Sequence, residues 1–101
     1  MIKGIGIDII EHDRVKLEIA QKILTKKELI IFEKKVNKIE YLASRFCIKE
    51  AIIKATNKKY TFLDLEITNN KQGELLVNQP NLKISLSHEK NYSVGMCIWE
   101  E

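Results

Sequence analysis

Four sets of side chains in this 101-residue sequence could do chemistry: Asp8, Glu50 with Lys54, Arg45 with Lys49, and His88. Glu50 is out of place. At about 100° per residue, Ile39, Leu42, Ala43, Phe46, Cys47 and Ile53 all fall within about 80° of it on a helix, so the carboxylate sits in an apolar stripe. A carboxylate withdrawn from water needs a cation or a proton. Lys54, one turn later, is one candidate and a metal ion is the other. Asp8 and Glu50, without nearby His or Cys partners, would make a hard oxygen site suited to Mg²⁺, completed by water and phosphate oxygens. Arg45 and Lys49 share an i, i+4 edge, where like charges repel unless an anion lies between them. That edge is a candidate phosphate site. The plainer alternative is a Glu50–Lys54 ion pair, a solvated Asp8, and a His88 that enters a loop bonded to backbone.

These residues need elements to hold them. Residues 2 to 10 alternate, with Ile5, Ile7 and Ile9 on one face of a strand and Gly4, Gly6 and Asp8 on the other. Glycines beside an aspartate point to close approach of a ligand or another backbone. Asp13 is expected to cap a helix through Val15, Leu17, Ile19, Ala20, Ile23 and Leu24, with Arg14 in its first turn, where a cation opposes the helix dipole. Thr25 and Glu28 form a capping box that opens a second helix, closed by Asn37. The longest helix runs from about Ile39 to Thr56 and, being apolar on two sides, is expected to be central and largely buried.

Strands are expected over Phe62–Ile67 and Leu75–Val77 across an Asn69–Gly73 turn, and over Leu82–His88 and Tyr92–Trp99 across Glu89–Asn91. The order strand, helices, strands predicts an α+β fold with an antiparallel sheet, as a single domain over residues 1–101. Such a chain is too small to enclose a deep cofactor cavity unaided, which makes an oligomer plausible.

Seventeen basic against fourteen acidic side chains give a net charge of +3, a bias that favours acidic partners without naming one. Cys47 and Cys97 lie in apolar segments without metal-ligand spacing, and no secretory segment precedes them, so buried thiols in a cytoplasmic protein are expected. No apolar run reaches the roughly 20 residues of a membrane span. His12 is expected on the surface. Together with His88 it lacks the paired spacing of a zinc site. Gly4-Ile-Gly6 lacks the third glycine and the following helix of a dinucleotide fingerprint, and no Walker-type loop is present.

Taken together, three stretches resemble the holo-[acyl-carrier-protein] synthase family, the small 4′-phosphopantetheinyl transferases. Gly4-Ile-Gly-Ile-Asp8-Ile-Ile-Glu11-His-Asp-Arg14 is similar to the family's G-I-G-x-D-[IV]-[VI]-E-x-x-R motif. Arg45-Phe-Cys-Ile-Lys49-Glu50-Ala-Ile-Ile-Lys54-Ala55 is similar to R-F-x-x-K-E-A-x-x-K-A. Ser85-Leu-Ser87-His88, followed by Tyr92-Ser-Val, is similar to S-x-S-H…Y-A, and Leu24-Thr25 with Glu28 fits L-T-x-x-E. The resemblance spans almost the whole chain.

It implies transfer of 4′-phosphopantetheine from coenzyme A to a serine of apo acyl carrier protein, releasing adenosine 3′,5′-bisphosphate. By similarity, Asp8 and Glu50 would hold Mg²⁺ on the diphosphate and Lys54 would contact the phosphates. Arg45, Lys49, Ser87 and His88 would lie around the coenzyme, and Arg14 would dock on an acidic helix of the carrier. The base is left open among Glu50, a metal-bound water and Lys54. The family's small members are homotrimers with active sites between subunits, their antiparallel strands packed around a threefold axis. One departure stands out. Where the family has a glycine-rich segment, commonly G-T-G, this chain has Asn57-Lys58-Lys59-Tyr60-Thr61, which leaves coenzyme contact there to Lys58 or Lys59, or weakens it. The competing reading is a small non-catalytic basic module for an acidic protein or nucleic acid. That reading leaves Glu50 unexplained, and the basic residues are not interleaved with aromatics.

Overall fold

In the computed structural model, which describes residues 1–101, a three-stranded antiparallel sheet of order β1-β5-β4 carries one long helix across its inner face. β1 is Ile2–Glu11, β4 is Leu82–His88 and β5 is Tyr92–Glu100. Asp8 is opposite Gly95 and Ile7 opposite Met96 in the β1–β5 register. Two shorter strands, β2 (Ile67–Asn69) and β3 (Leu75–Val77), pair separately. Three helices, α1 (Ala20–Ile23), α2 (Lys26–Glu33) and α3 (Lys38–Ala55), lie between β1 and β2.

The bare face of β1 is bare because α3 lies on it. A methyl group at Gly4 would collide with the carbonyl oxygen of Ala55, and one at Gly6 with that of Ala51. On β5, a Cβ at Gly95 would come 2.8 Å from the carbonyl oxygen of Cys47. Close approach to another backbone, one of the two readings of this face, is therefore what forms. The isoleucine face is left open: Ile5, Ile7 and Ile9 are each about three-fifths exposed, and Met96 shares that side.

α3 starts where Asn37 accepts a hydrogen bond from the Glu40 N–H at 3.0 Å, so Asn37 opens this helix and does not close the previous one. It stops in a Schellman arrangement: the Lys58 N–H donates to Ile53 O at 2.8 Å, and Asn57 and Lys58 take positive φ of 54° and 64°. The left-handed backbone that glycine would favour is thus formed here by Asn and Lys. α2 has the expected capping box, with Thr25 Oγ1 accepting from the Glu28 N–H and Glu28 Oε1 accepting from the Thr25 N–H.

Three expectations change. The helix from Asp13 becomes two 3-10 turns, His12–Arg14 and Leu17–Ile19, followed by the short α1, so Arg14 ends a turn and opposes no helix dipole. Apolar residues there still pack: Val15, Ala20, Ile23 and Leu24 join Phe32, Tyr41 and Leu42 in one core cluster. Phe62–Asp64 forms a 3-10 turn, held by the Thr61 N–H and hydroxyl donating to Asp64 Oδ2, and only Ile67–Asn69 is strand. Leu65 and Ile67 then close a second cluster with Ile48, Ala51, Ile52, Ala55 and Cys97. His12 is buried. Its Nδ1 lies 3.0 Å from the Lys90 carbonyl and its Nε2 2.8 Å from Ser93 Oγ, so the ring ties the end of β1 to the β4–β5 hairpin.

Candidate active site

Asp8 projects from β1 beside α3, and its side chain is only 16% exposed. The Lys54 ammonium donates to Asp8 Oδ1 at 3.1 Å and to the Ile7 carbonyl at 3.1 Å. Asp8 is also close enough to Cys47 that its charge, after burial, helps push that thiol's pKa up to about 12. Asp8 therefore faces α3 between Cys47 and Lys54. Glu50 lies one turn beyond Cys47 and one turn before Lys54, within about 60° of each around the helix. None of the chain's ion pairs includes Glu50. The Glu50–Lys54 pair of the plainer reading does not form, since Lys54 takes Asp8 instead.

Glu50 is half-buried, as are Phe46 and Ile53 beside it, so the stripe that reads as apolar is fully buried at Leu42, Ala43 and Cys47 and half-open around Glu50. Phe46 stacks on Phe62 at 5.6 Å between ring centroids and lines that flank. A shallow pocket of about 300 Å³ opens against Ile7, Asp8, Ile9, Lys54 and Val94.

The chemistry of these donors fits a hard divalent cation. Asp8 already holds a cation, the ammonium of Lys54, and only carboxylate oxygens are on offer. The chain brings no three His, Cys, Asp or Glu side chains together, so two carboxylates would leave the other coordination positions to water and ligand oxygens.

Further along α3, Arg45 and His88 meet. Both line a pocket of about 500 Å³ with Lys34, Lys35, Glu40 and Asn69. Arg45 is buried under Tyr41, its guanidinium carbon 4.6 Å from the ring centroid, and its Nη2 donates to Asn69 Oδ1 at 3.1 Å. Its Nε is buried and has no hydrogen-bond acceptor. His88 Nδ1 stands 3.7 Å from Glu40 Oε2, not bonded to backbone.

Lys49 is not on this edge. Its ammonium donates to Glu28 Oε1 at 2.6 Å and to the Ile23 carbonyl at 2.7 Å, with no exposed surface on either charged side chain. Burial pushes the Lys49 pKa down and Glu28 opposes the shift. The reading of Arg45 and Lys49 as a pair around one anion is thus corrected: α2 supplies the counter-charge. Glu28 had been legible only as a capping residue. Its second oxygen accepts from the Ile67 N–H at 2.7 Å, so one carboxylate joins α2, α3 and β2.

Ser87 and Arg14 lie away from both pockets. Ser87 is exposed opposite Val94 on the open face of the sheet, while Arg14 is exposed at the end of its turn. Cys47 and Cys97 are free and buried, as expected, and no helix is long and apolar enough to cross a membrane.

Residues 4–97 match the family model of the 4′-phosphopantetheinyl transferase superfamily. A holo-[acyl-carrier-protein] synthase from Mycoplasma capricolum is 42% identical over 97% of this chain and 94% of its own length. The crystal structure of a holo-(acyl-carrier-protein) synthase from Bacillus anthracis, in complex with CoA (3′,5′-ADP), superposes with a TM-score of 0.87 at 34% identity, covering 99% of this chain and 97% of that one. The holo-[acyl-carrier-protein] synthase structure from Neisseria meningitidis gives 0.91 at 26% identity, with both chains fully covered.

Proposed function

This chain belongs to the 4′-phosphopantetheinyl transferase superfamily, and on that premise we infer that it moves 4′-phosphopantetheine from coenzyme A to a serine of apo acyl carrier protein. Adenosine 3′,5′-bisphosphate is the leaving product. The observation that carries the reading to the site is the contact of Asp8 with Lys54 on α3, where Glu50 stands one turn earlier on the same flank, beside a strand whose glycines let the helix lie close.

Asp8 and Glu50 are assigned to hold Mg²⁺, which when bound supplies positive charge to the diphosphate at the bond that breaks. Lys54 adds a second cation to the same phosphates. Glu50, which no cation of the chain engages, is the carboxylate assigned to accept the serine proton. Arg45 and His88, with Lys34 and Lys35 in the same pocket, take the other end of the coenzyme. Arg45 and Lys54 are nine residues apart on α3 and about 180° apart around it, so one coenzyme reaches both kinds of contact only where the Arg45 edge comes from a neighbouring subunit. Lys58, in its left-handed turn at the end of α3, takes the place of the family's glycine segment.

The uncovered isoleucine face supports a homotrimer. Ile5, Ile7, Ile9 and Met96 form an apolar stripe on the side of the sheet that α3 leaves bare, and subunits packed there would bury it. Ser87 lies on that face, so it reaches coenzyme only across a subunit boundary. Arg14 is assigned to the acidic surface of the carrier. Two buried free thiols support a cytoplasmic setting.

The test is to incubate the protein with apo carrier, coenzyme A and Mg²⁺ and to weigh the carrier by mass spectrometry. A gain of one phosphopantetheine group is expected. An unchanged carrier mass would sink the assignment.

A further inference from the structure

Lys54 makes two hydrogen bonds, both to β1, and one of its acceptors is a carboxylate assigned to the metal. Its side chain is 51% exposed while that of Asp8 is 16% exposed, so the ammonium caps a carboxylate that has little other access to water. The one other carboxylate on this flank, Glu50, carries no such cap.

We propose that Lys54 is the resident counter-cation of Asp8, and that a divalent cation must displace it, so that metal occupancy of Asp8 is what releases Lys54 toward the phosphates of the coenzyme. The inference rests on the assignment of Asp8 to the metal. It follows from charge and reach: one carboxylate oxygen close to an ammonium is a poorer site for a second cation. Displacement frees the long Lys54 side chain, whose C-terminal position on an exposed turn leaves it room to swing. Metal and coenzyme then favour each other, because the metal frees a phosphate ligand and a phosphate that draws Lys54 away uncovers Asp8. Binding linkage makes the two effects equal in size. The arrangement also keeps Asp8 satisfied in the free protein, where an uncapped, mostly buried carboxylate would be costly.

The experiment titrates the full-length protein with Mn²⁺ alone, counting free Mn²⁺ by its paramagnetic resonance signal, and repeats the titration with coenzyme A present. Lys54→Met should bind Mn²⁺ alone about fivefold more tightly than the wild type, the scale of a partly exposed ion pair. Lys3→Met removes an exposed positive charge of β1 that does not touch Asp8, and should change affinity by less than about twofold at physiological ionic strength. Coenzyme A should sharpen Mn²⁺ binding in the wild type more than in Lys54→Met. Both lysines are exposed, so neither variant disturbs the core, and circular dichroism checks this. Unchanged or weaker binding by Lys54→Met, absence of binding in all three proteins, or equal tightening by Lys3→Met would each overturn the proposal. Carrier modification is scored separately, so a wild type that loads the carrier while Lys54→Met fails to tighten overturns the displacement and leaves the transferase assignment standing.

Discussion

Lys49 Nζ lies 2.6 Å from Glu28 Oε1, and neither side chain has any exposed surface. The pair joins the middle of α3 to the first turn of α2, and through Glu28 Oε2 to the Ile67 N–H at the start of β2. It fixes how α3 is rotated, and therefore which flank Glu50 and Lys54 present.

Removing one partner leaves the other charge buried and alone. Lys49→Met and Glu28→Gln should each cost about 3–5 kcal/mol, read as a fall in Tm at fixed protein concentration. The double variant Lys49→Met/Glu28→Leu should recover part of that loss, because no buried charge is left without a partner. Singles that melt like the wild type would contradict the pair's role.

Gly6 tests the contact between β1 and α3. Alanine is normally at least as good as glycine in a strand, but here its methyl group would meet the Ala51 carbonyl, a backbone atom that cannot turn aside. Gly6→Ala should destabilise by about 1–3 kcal/mol or more. A stable, fully active Gly6→Ala protein would mean that α3 stands further from the sheet.

The turn after α3 makes the opposite prediction. Lys58 has φ of 64°, a conformation that costs a side-chain-bearing residue about 1–2 kcal/mol and glycine little. Glycine gives back part of this through its freer unfolded chain, so Lys58→Gly should raise stability by up to about 1 kcal/mol. A lower Tm would indicate that Lys58 holds contacts its geometry does not reveal.

Both thiols should be inert in the folded protein. Burial, then the Asp8 charge, raises the Cys47 pKa to about 12, and burial raises that of Cys97 to about 11. Only a thiolate is alkylated, and below those values each group stays protonated. Iodoacetamide at pH 8 should therefore label neither thiol in native protein and both in denaturant. Rapid native labelling of Cys47 would place it outside the core.

Much of this architecture could be read from residue types. The period of α3, the Thr25–Glu28 box, the β4–β5 hairpin and the glycine face of β1 all depend on local rules. Lys49 could not be read that way. Its neighbour on the helix surface at i−4 is Arg45, but its actual partner comes from α2, 21 residues earlier, and only tertiary packing brings the two together. His12 was missed for the same reason, since its partners Lys90 and Ser93 lie on a distant hairpin. The segment after β1 has helical apolar spacing but splits into 3-10 turns, its residues serving packing against α3 more than helix continuity. Asp8, Glu50 and Lys54 could be singled out as candidates from their types and spacing, whereas the choice of Asp8 over Glu50 as the partner of Lys54 could not. That choice depends on where β1 crosses α3.

The central claim is that Asp8 and Glu50 form the two protein ligands of one metal-assisted transfer site. It is tested most directly by single-turnover transfer to apo carrier with coenzyme A and Mg²⁺, comparing wild type with Asp8→Ala and Glu50→Gln. The account predicts that each variant loses at least about 100-fold in rate while its melting temperature stays within about 3 °C of the wild type. Near-normal rates in both variants would contradict it.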